Sequence, residues 1–207
     1  MIIKKMALGY LGANCYILID EDTRKALIID PGAEAKRVVQ DVKLEGLDVE
    51  AIVLTHGHYD HIGGADEVRQ ALKTKILIHK KDAHMLEDPS ENLSSKYEGG
   101  GISFTADQRL THEDTISFGN TTAKVIHTPG HTQGGICLLI DNHLFAGDTL
   151  FLRSVGRSDL PGGNEAQLAK SIKERLYKLD PETTVYPGHG PETTIGFEKE
   201  KNFIVRA

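Results

Sequence analysis

The sequence predicts an α+β chain in which two β-sheets pack face to face with helices on the outside. Three observations predict it. A hairpin leads into a β-α-β run, a series of short strands fills the stretch from Ile102 to Asp148, and an amphipathic helix closes that second half. No Pro-, Gly- or Ser-rich linker divides the two halves, so residues 1–207 are expected to form one domain.

The strand-like runs Asn14 to Ile19 and Lys25 to Asp30 flank the polar turn Asp20-Glu21-Asp22 and stop at Asp30-Pro31-Gly32, as an antiparallel hairpin should. Ala35, Val38, Val39 and Val42 then recur at helical spacing, and Gly46 stands where a helix end favours a left-handed residue. A helix is expected from Ala33 to Glu45. The apolar strand Ala51 to Leu54, a second helix from Ala65 to Lys73 and the strand Lys75 to Ile78 complete the β-α-β run. Asp88 to Gly101 is polar and Gly-rich and reads as an exposed loop. Strands follow at Thr115 to Phe118, Thr122 to Ile126, Ile136 to Ile140 and His143 to Ala146. Leu168, Ile172, Leu176 and Leu179 mark one face of a last helix, with Asn164 as N-cap and Asp180-Pro181 as its stop. The strand Thr184 to Tyr186 then enters Pro187-Gly188-His189-Gly190.

The formal net charge of -6 is spread along the chain with no basic stripe, which argues against a nucleic-acid partner. Cys15 and Cys137 are too few for a disulfide framework or a thiolate metal site and suit small core residues in a reducing compartment. Lys4-Lys5 and the apolar stretch to Ile19 imitate a secretion signal, but Gly9, Gly12 and Asn14 interrupt it and no small-residue cleavage site follows. No stretch reaches the length of a membrane span. The expectation is a soluble cytoplasmic protein acting on a small molecule, with the oligomeric state left open.

The densest chemistry lies in Thr55-His56-Gly57-His58-Tyr59-Asp60-His61, between a buried strand and a helix. Residues two apart on an extended segment point the same way, so His56 and His58 can grip one cation from one side. Asp60 and His61 fall at the turn into the helix, where they can serve a second cation. A helix cap would need one acceptor and not three imidazoles. Three more potential ligands end apolar runs: His131 in His127-Thr128-Pro129-Gly130-His131-Thr132, Asp148 in Gly147-Asp148-Thr149, and His189 in Pro187-Gly188-His189-Gly190. His79, His84, His112 and His143 have no partners at ligand spacing and are assigned surface or strand-end roles. His127 is taken as structural.

The ordered set T-H-x-H-x-D-H, then H-T-P-G-H-T, G-D-T-L-F and P-G-H-G, resembles the metallo-β-lactamase superfamily over nearly the whole chain. Gly147-Asp148-Thr149-Leu150-Phe151 with the loop Gly156 to Gly163 is most similar to the glyoxalase II-like branch, the hydroxyacylglutathione hydrolases. The resemblance implies the αββα sandwich of two mixed sheets. It implies that His56, His58 and His131 hold one divalent metal, that Asp60, His61 and His189 hold another, and that Asp148 bridges them. Zinc is the first expectation, and iron or manganese suit the same ligands. The chain departs from longer glyoxalase II enzymes in having only a short tail after His189, in place of a helical domain that helps bind glutathione. Where those enzymes have a basic residue and then a tyrosine, it reads Arg157-Ser158-Asp159. True β-lactamases of the superfamily usually carry Cys where Asp148 stands.

The implied chemistry is attack of a metal-bridging hydroxide on a thioester such as a hydroxyacylglutathione, with Asp60 and Asp148 as catalytic ligands and Arg157 binding the substrate's anionic end. Two rivals differ in class: a mononuclear-iron persulfide dioxygenase, which shares the fold and a Gly-Arg-x-Asp loop, and a non-catalytic metal-binding module.

Overall fold

The computed structural model describes residues 1–96 and 100–206. The first sheet has the order β1 (Ile2–Leu8), β2 (Ala13–Ile19), β3 (Lys25–Ile29), β4 (Asp48–Leu54), β5 (Ile76–His79), β6 (Gln108–Leu110). Pairing is antiparallel through β3 and parallel from β3 to β6. After it come β7 (Thr115–Phe118), β8 (Thr121–His127), β9 (Ile136–Ile140), β10 (His143–Gly147), the small hairpin β11 (Leu150–Phe151) with β12 (Ser154–Val155), β13 (Thr184–Pro187) and β14 (Thr193–Thr194). The second sheet orders these as β14-β13-β10-β9-β8-β7. The helices are α1 (Ala35–Leu44), α2 (Tyr59–Ile62), α3 (Ala65–Leu72), α4 (Glu165–Glu174) and α5 (Ile195–Lys201).

The side-chain alternation of β2 shows the layering. All seven of its residues are buried, and its faces feed different cores. Cys15, Ile17 and Ile19 join Val38, Val42, Ala65 and Val68 of α1 and α3 in one cluster, while Tyr16 and Leu18 meet Phe118, Val125, Leu138 and Phe145 of the opposite sheet in another. A third cluster packs Ala146 and Val185 against Leu168, Ile172 and Ile195 of α4 and α5. The order is therefore helix, sheet, sheet, helix, as the sequence predicts. Asn164 caps α4, its side chain accepting from the Gln167 N–H, and Gly46 follows α1 with φ at 61°.

The structure adds elements that the sequence pattern hid. The N-terminal stretch is not left idle: Ile2–Leu8 pairs along its whole length with β2, and its mixed exposure comes from its place at the sheet edge. Beta6 is too short for a periodic signal, and the tail forms α5, capped by Thr194. The loop from Asp88 is not simply exposed. Asn92 is fully buried, and its side-chain amide donates to the carbonyls of Met85 and Ile102, so a polar residue ties the segment down from inside. Residues 97–99 of that expected loop lie outside the described residues. Cys15 and Cys137 are buried free thiols, and burial pushes both thiols up, Cys137 to about 11. Among the described residues, no helix is long and apolar enough to cross a membrane.

Strand direction places the site. Beta3 and β4 run parallel, and β10 runs parallel to β13. Beta8 reaches the same direction through two antiparallel steps across β9. The chain thus leaves β3, β4, β8, β10 and β13 at one shared edge of the sandwich.

Candidate metal centre

Four strand ends and one short helix deliver the site. Beta4 runs into Thr55-His56-Gly57-His58, α2 carries Asp60 and His61, and the segments after β8, β10 and β13 carry His131, Asp148 and His189. Two clusters result, His56 with His58 and His131, and Asp60 with His61 and His189. Within each, one ligand atom per residue lies within 4.8 Å of the others. Asp148 stands between the clusters. Its Oδ1 is 3.4 Å from His61 Nε2, and its Oδ2 is 3.6 Å from His131 Nε2 and 3.8 Å from His189 Nε2. Gly188 permits this approach, since a Cβ there would meet Asp148 Oδ1 at 2.2 Å. All seven sequence-predicted ligands are therefore brought together.

The donor set fits cations. His131 Nε2 lies 2.9 Å from His58 Nδ1 and 3.3 Å from His56 Nε2, and His61 Nε2 lies 3.2 Å from His189 Nε2. Imidazole nitrogens converging in this way leave lone pairs aimed at a common point. Among the described residues, His58 Nε2 and Asp148 Oδ1 are the buried side-chain polar atoms without a hydrogen-bond partner. Of the two, Asp148 Oδ1 lies among the converging nitrogens, and an unsatisfied buried carboxylate oxygen there is what a cation site leaves behind.

Burial holds the His56 imidazolium far below its usual range, and burial with the neighbouring His131 brings His58 down to about 3. Both are thus neutral and able to ligate at neutral pH. Burial also pulls His61 down, but the carboxylates of Asp148, Asp60 and Asp30 outweigh it and push His61 up to about 10. That is a place for positive charge. Burial raises Asp60, yet His61 and the hydrogen bond from His189 hold it well below the carboxylate range. The His189 Nε2 to Asp60 Oδ2 distance is 3.1 Å.

Residues beyond the seven candidate ligands hold those side chains in place. Asp30 is buried and accepts from the Thr55 N–H at 2.7 Å, the Thr55 hydroxyl at 2.6 Å and His61 Nδ1 at 2.9 Å, turning His61 Nε2 inward. In the sequence, Asp30-Pro31-Gly32 signals only a turn. The Arg157 carbonyl accepts from His131 Nδ1 at 2.6 Å. Asn14 donates to the Pro187 and Gly190 carbonyls on either side of His189, and the Tyr16 hydroxyl also donates to Pro187. Nothing in the spacing of Asn14 or Tyr16 signals this, because the contacts span more than 170 positions.

Arg157 lies on the loop beside His131, but its guanidinium donates to both oxygens of Asp159, at 2.9 and 2.8 Å. The pair is exposed. Of the surface and strand-end roles expected of it, His79 takes the second: it is buried at the end of β5 and stacks on His127, with ring centroids 4.0 Å apart. An apolar cavity of about 610 Å³, lined by Leu8, Tyr10, Leu11, Ala33, Tyr59 and Ile102, opens beside Asp60.

The model of the metallo-beta-lactamase superfamily matches residues 8–189. A probable metallo-hydrolase, YqgX, of Bacillus subtilis is 37% identical over 202 residues, covering 96% of this chain and 95% of the relative. The hydroxyacylglutathione hydrolase GloC of Haemophilus influenzae is 34% identical, covering 91% of each. Among solved structures, the BLEG-1 B3 metallo-beta-lactamase superposes with a TM-score of 0.94 at 40% identity, covering both chains in full. ETHE1 from Myxococcus xanthus gives 0.83 at 30% identity, covering 99% of this chain and 84% of its own. TTHA1623 in a di-iron-bound form gives 0.85 at 34%, covering 97% and 98%.

Proposed function

The chain belongs to the metallo-beta-lactamase superfamily, and on the geometry of its site we propose that it is a metal-dependent hydrolase that cleaves thioesters. The observation that carries the reading is Asp148, placed between two ligand clusters with one buried oxygen left unpartnered. His56, His58 and His131 would hold one divalent cation, Asp60, His61 and His189 a second, and Asp148 would touch both. Histidine with carboxylate suits zinc, and iron or manganese can take the same donors. Such cations supply Lewis acidity and lower the pKa of water toward about 7.

The chain's own residues supply orientation. Asp60, held ionised by His61 and His189, lines the cavity and can align a water by accepting its hydrogen bond. The apolar walls can receive an uncharged limb of the substrate. The cavity falls in the range of about 300 to 1,000 Å³ typical of small-ligand sites. Thiolate leaves without a general acid because thiols ionise near pH 8.5. The resemblance to GloC supports thioesters, and hydroxyacylglutathione is the first to test. Arg157 is proposed to meet an anionic end. Its pair with Asp159 is exposed and screened by solvent, so a substrate carboxylate can displace Asp159.

The experiment is elemental analysis of protein purified without added metal, followed by a panel of anionic and neutral thioesters. Arg157→Ala is expected to raise KM for anionic thioesters by about 10- to 100-fold with neutral ones unmoved. Equal losses on both would make Arg157 structural, and no turnover of any thioester by the metal-loaded chain would overturn the hydrolase reading. The likeness to ETHE1 favours a second reading, the iron dioxygenase. One iron per chain and oxygen uptake with a persulfide would establish it instead.

A further inference from the structure

Asp82 follows β5 on a segment that supplies none of the seven proposed ligands, and it is 0% exposed. Its Oδ2 accepts from the Gly57 N–H at 3.3 Å and the Thr132 hydroxyl at 2.6 Å, and its Oδ1 accepts from the Gly134 N–H at 2.5 Å. Gly57 separates His56 from His58, and Thr132 follows His131. One carboxylate therefore joins the two loops that together make up the all-histidine cluster, loops that come from different sheets. A Cβ on Gly134 would lie 2.6 Å from both the Asp82 nitrogen and Oδ1, so the close approach requires glycine there.

Packing does not explain a carboxylate at this place. Burial pushes the Asp82 carboxyl up, and the groups acting on it are Thr132, Gly134, Gly57 and His84, with no Lys or Arg among them. An apolar side chain would avoid the desolvation but would leave three donors from two loops unmatched. We propose that Asp82 is a positioning residue: it clamps the His56–His58 loop to the His131 loop and thereby sets the affinity of that cluster for a divalent cation. The inference rests on reading the histidine cluster as a cation site.

The test is zinc binding to the full metal-free chain, measured in competition with a chromophoric chelator well below the unfolding temperature. Asp82→Asn keeps the size but turns an amide N–H₂ toward at least one donor, and is expected to weaken one zinc equivalent by about 10- to 100-fold, the range for residues that orient ligands. The equivalent held by the Asp60 cluster should not move. Thr132→Val removes one of the three bonds and should weaken the same equivalent by a smaller factor, which keeps the test open if Asp82→Asn does not fold. Wild-type zinc affinity in Asp82→Asn, or in Thr132→Val should the first variant not fold, overturns the clamp even where thermal stability falls. A wild-type chain that binds no zinc overturns the cluster reading itself.

Discussion

At the scale of single residues, Asp148 stands out because its carboxylate lies within 4 Å of nitrogens from both clusters, His61 on one side and His131 on the other. Its neighbours are the site and not the apolar cores, so its removal should alter chemistry far more than folding. Asp148→Ala is expected to lower bound metal and to reduce thioester hydrolysis by more than about 100-fold, beyond the loss typical of residues that only orient ligands. The far-UV circular dichroism spectrum should remain that of the wild type. A variant that keeps the full metal content would show that Asp148 does not bridge. Sequence spacing alone could nominate Asp148 as a ligand, because it ends an apolar strand. Its position between the clusters depends on where β8 and β13 end.

At the scale of elements, the stacked His79 and His127 join the end of β5 in the first sheet to the end of β8 in the second. Burial, and then the charge of His127, hold His79 down at about 4, against an ordinary value of 6.5. Burial also lowers His127, with Lys81 and Arg175 adding to it. For His79 the unfolded chain takes up a proton before the folded chain does. Stability from the neutral pair is therefore complete above about pH 6.5 and is lost as pH falls toward about 4. Metal-free wild type should lose more thermal stability between pH 7.5 and 4.5 than metal-free His79→Gln does, because the glutamine has no proton to gain. Parallel melting curves of the two proteins over that range would refute a role for the pair. The sequence shows both histidines, yet nothing in their spacing, 48 positions apart, shows that they touch.

At the scale of the whole molecule, the proposed ligands are divided between the halves: His56, His58, Asp60 and His61 follow β4, and His131, Asp148 and His189 follow strands of the second sheet. A cation bound to the folded state alone links those halves and stabilises by mass action, by about 2.7 kcal/mol when free metal is 100 times the dissociation constant. Chelation should therefore lower the melting temperature by several degrees, and added zinc should restore it. A melting temperature indifferent to chelator and zinc would count against a metal shared between the halves.

The sequence by itself determined the layer order, most of the strands, the helices α1, α3 and α4, and the kinds of donor at the site. Those features rest on periodicity, capping residues and ligand-rich motifs, which are local and repeat within a few positions. Edge strand β1, the short β6 and helix α5 gave weaker patterns because their burial is one-sided or their length too small. Only the tertiary structure decided that Asp30 orients His61, that Asn14 and Tyr16 grip the His189 segment, and that Asp82 joins two ligand loops. Each of these is a buried polar side chain whose partners lie 25 or more positions away. Strand order and direction bring such partners together, and neither is written in the local pattern of the residues themselves.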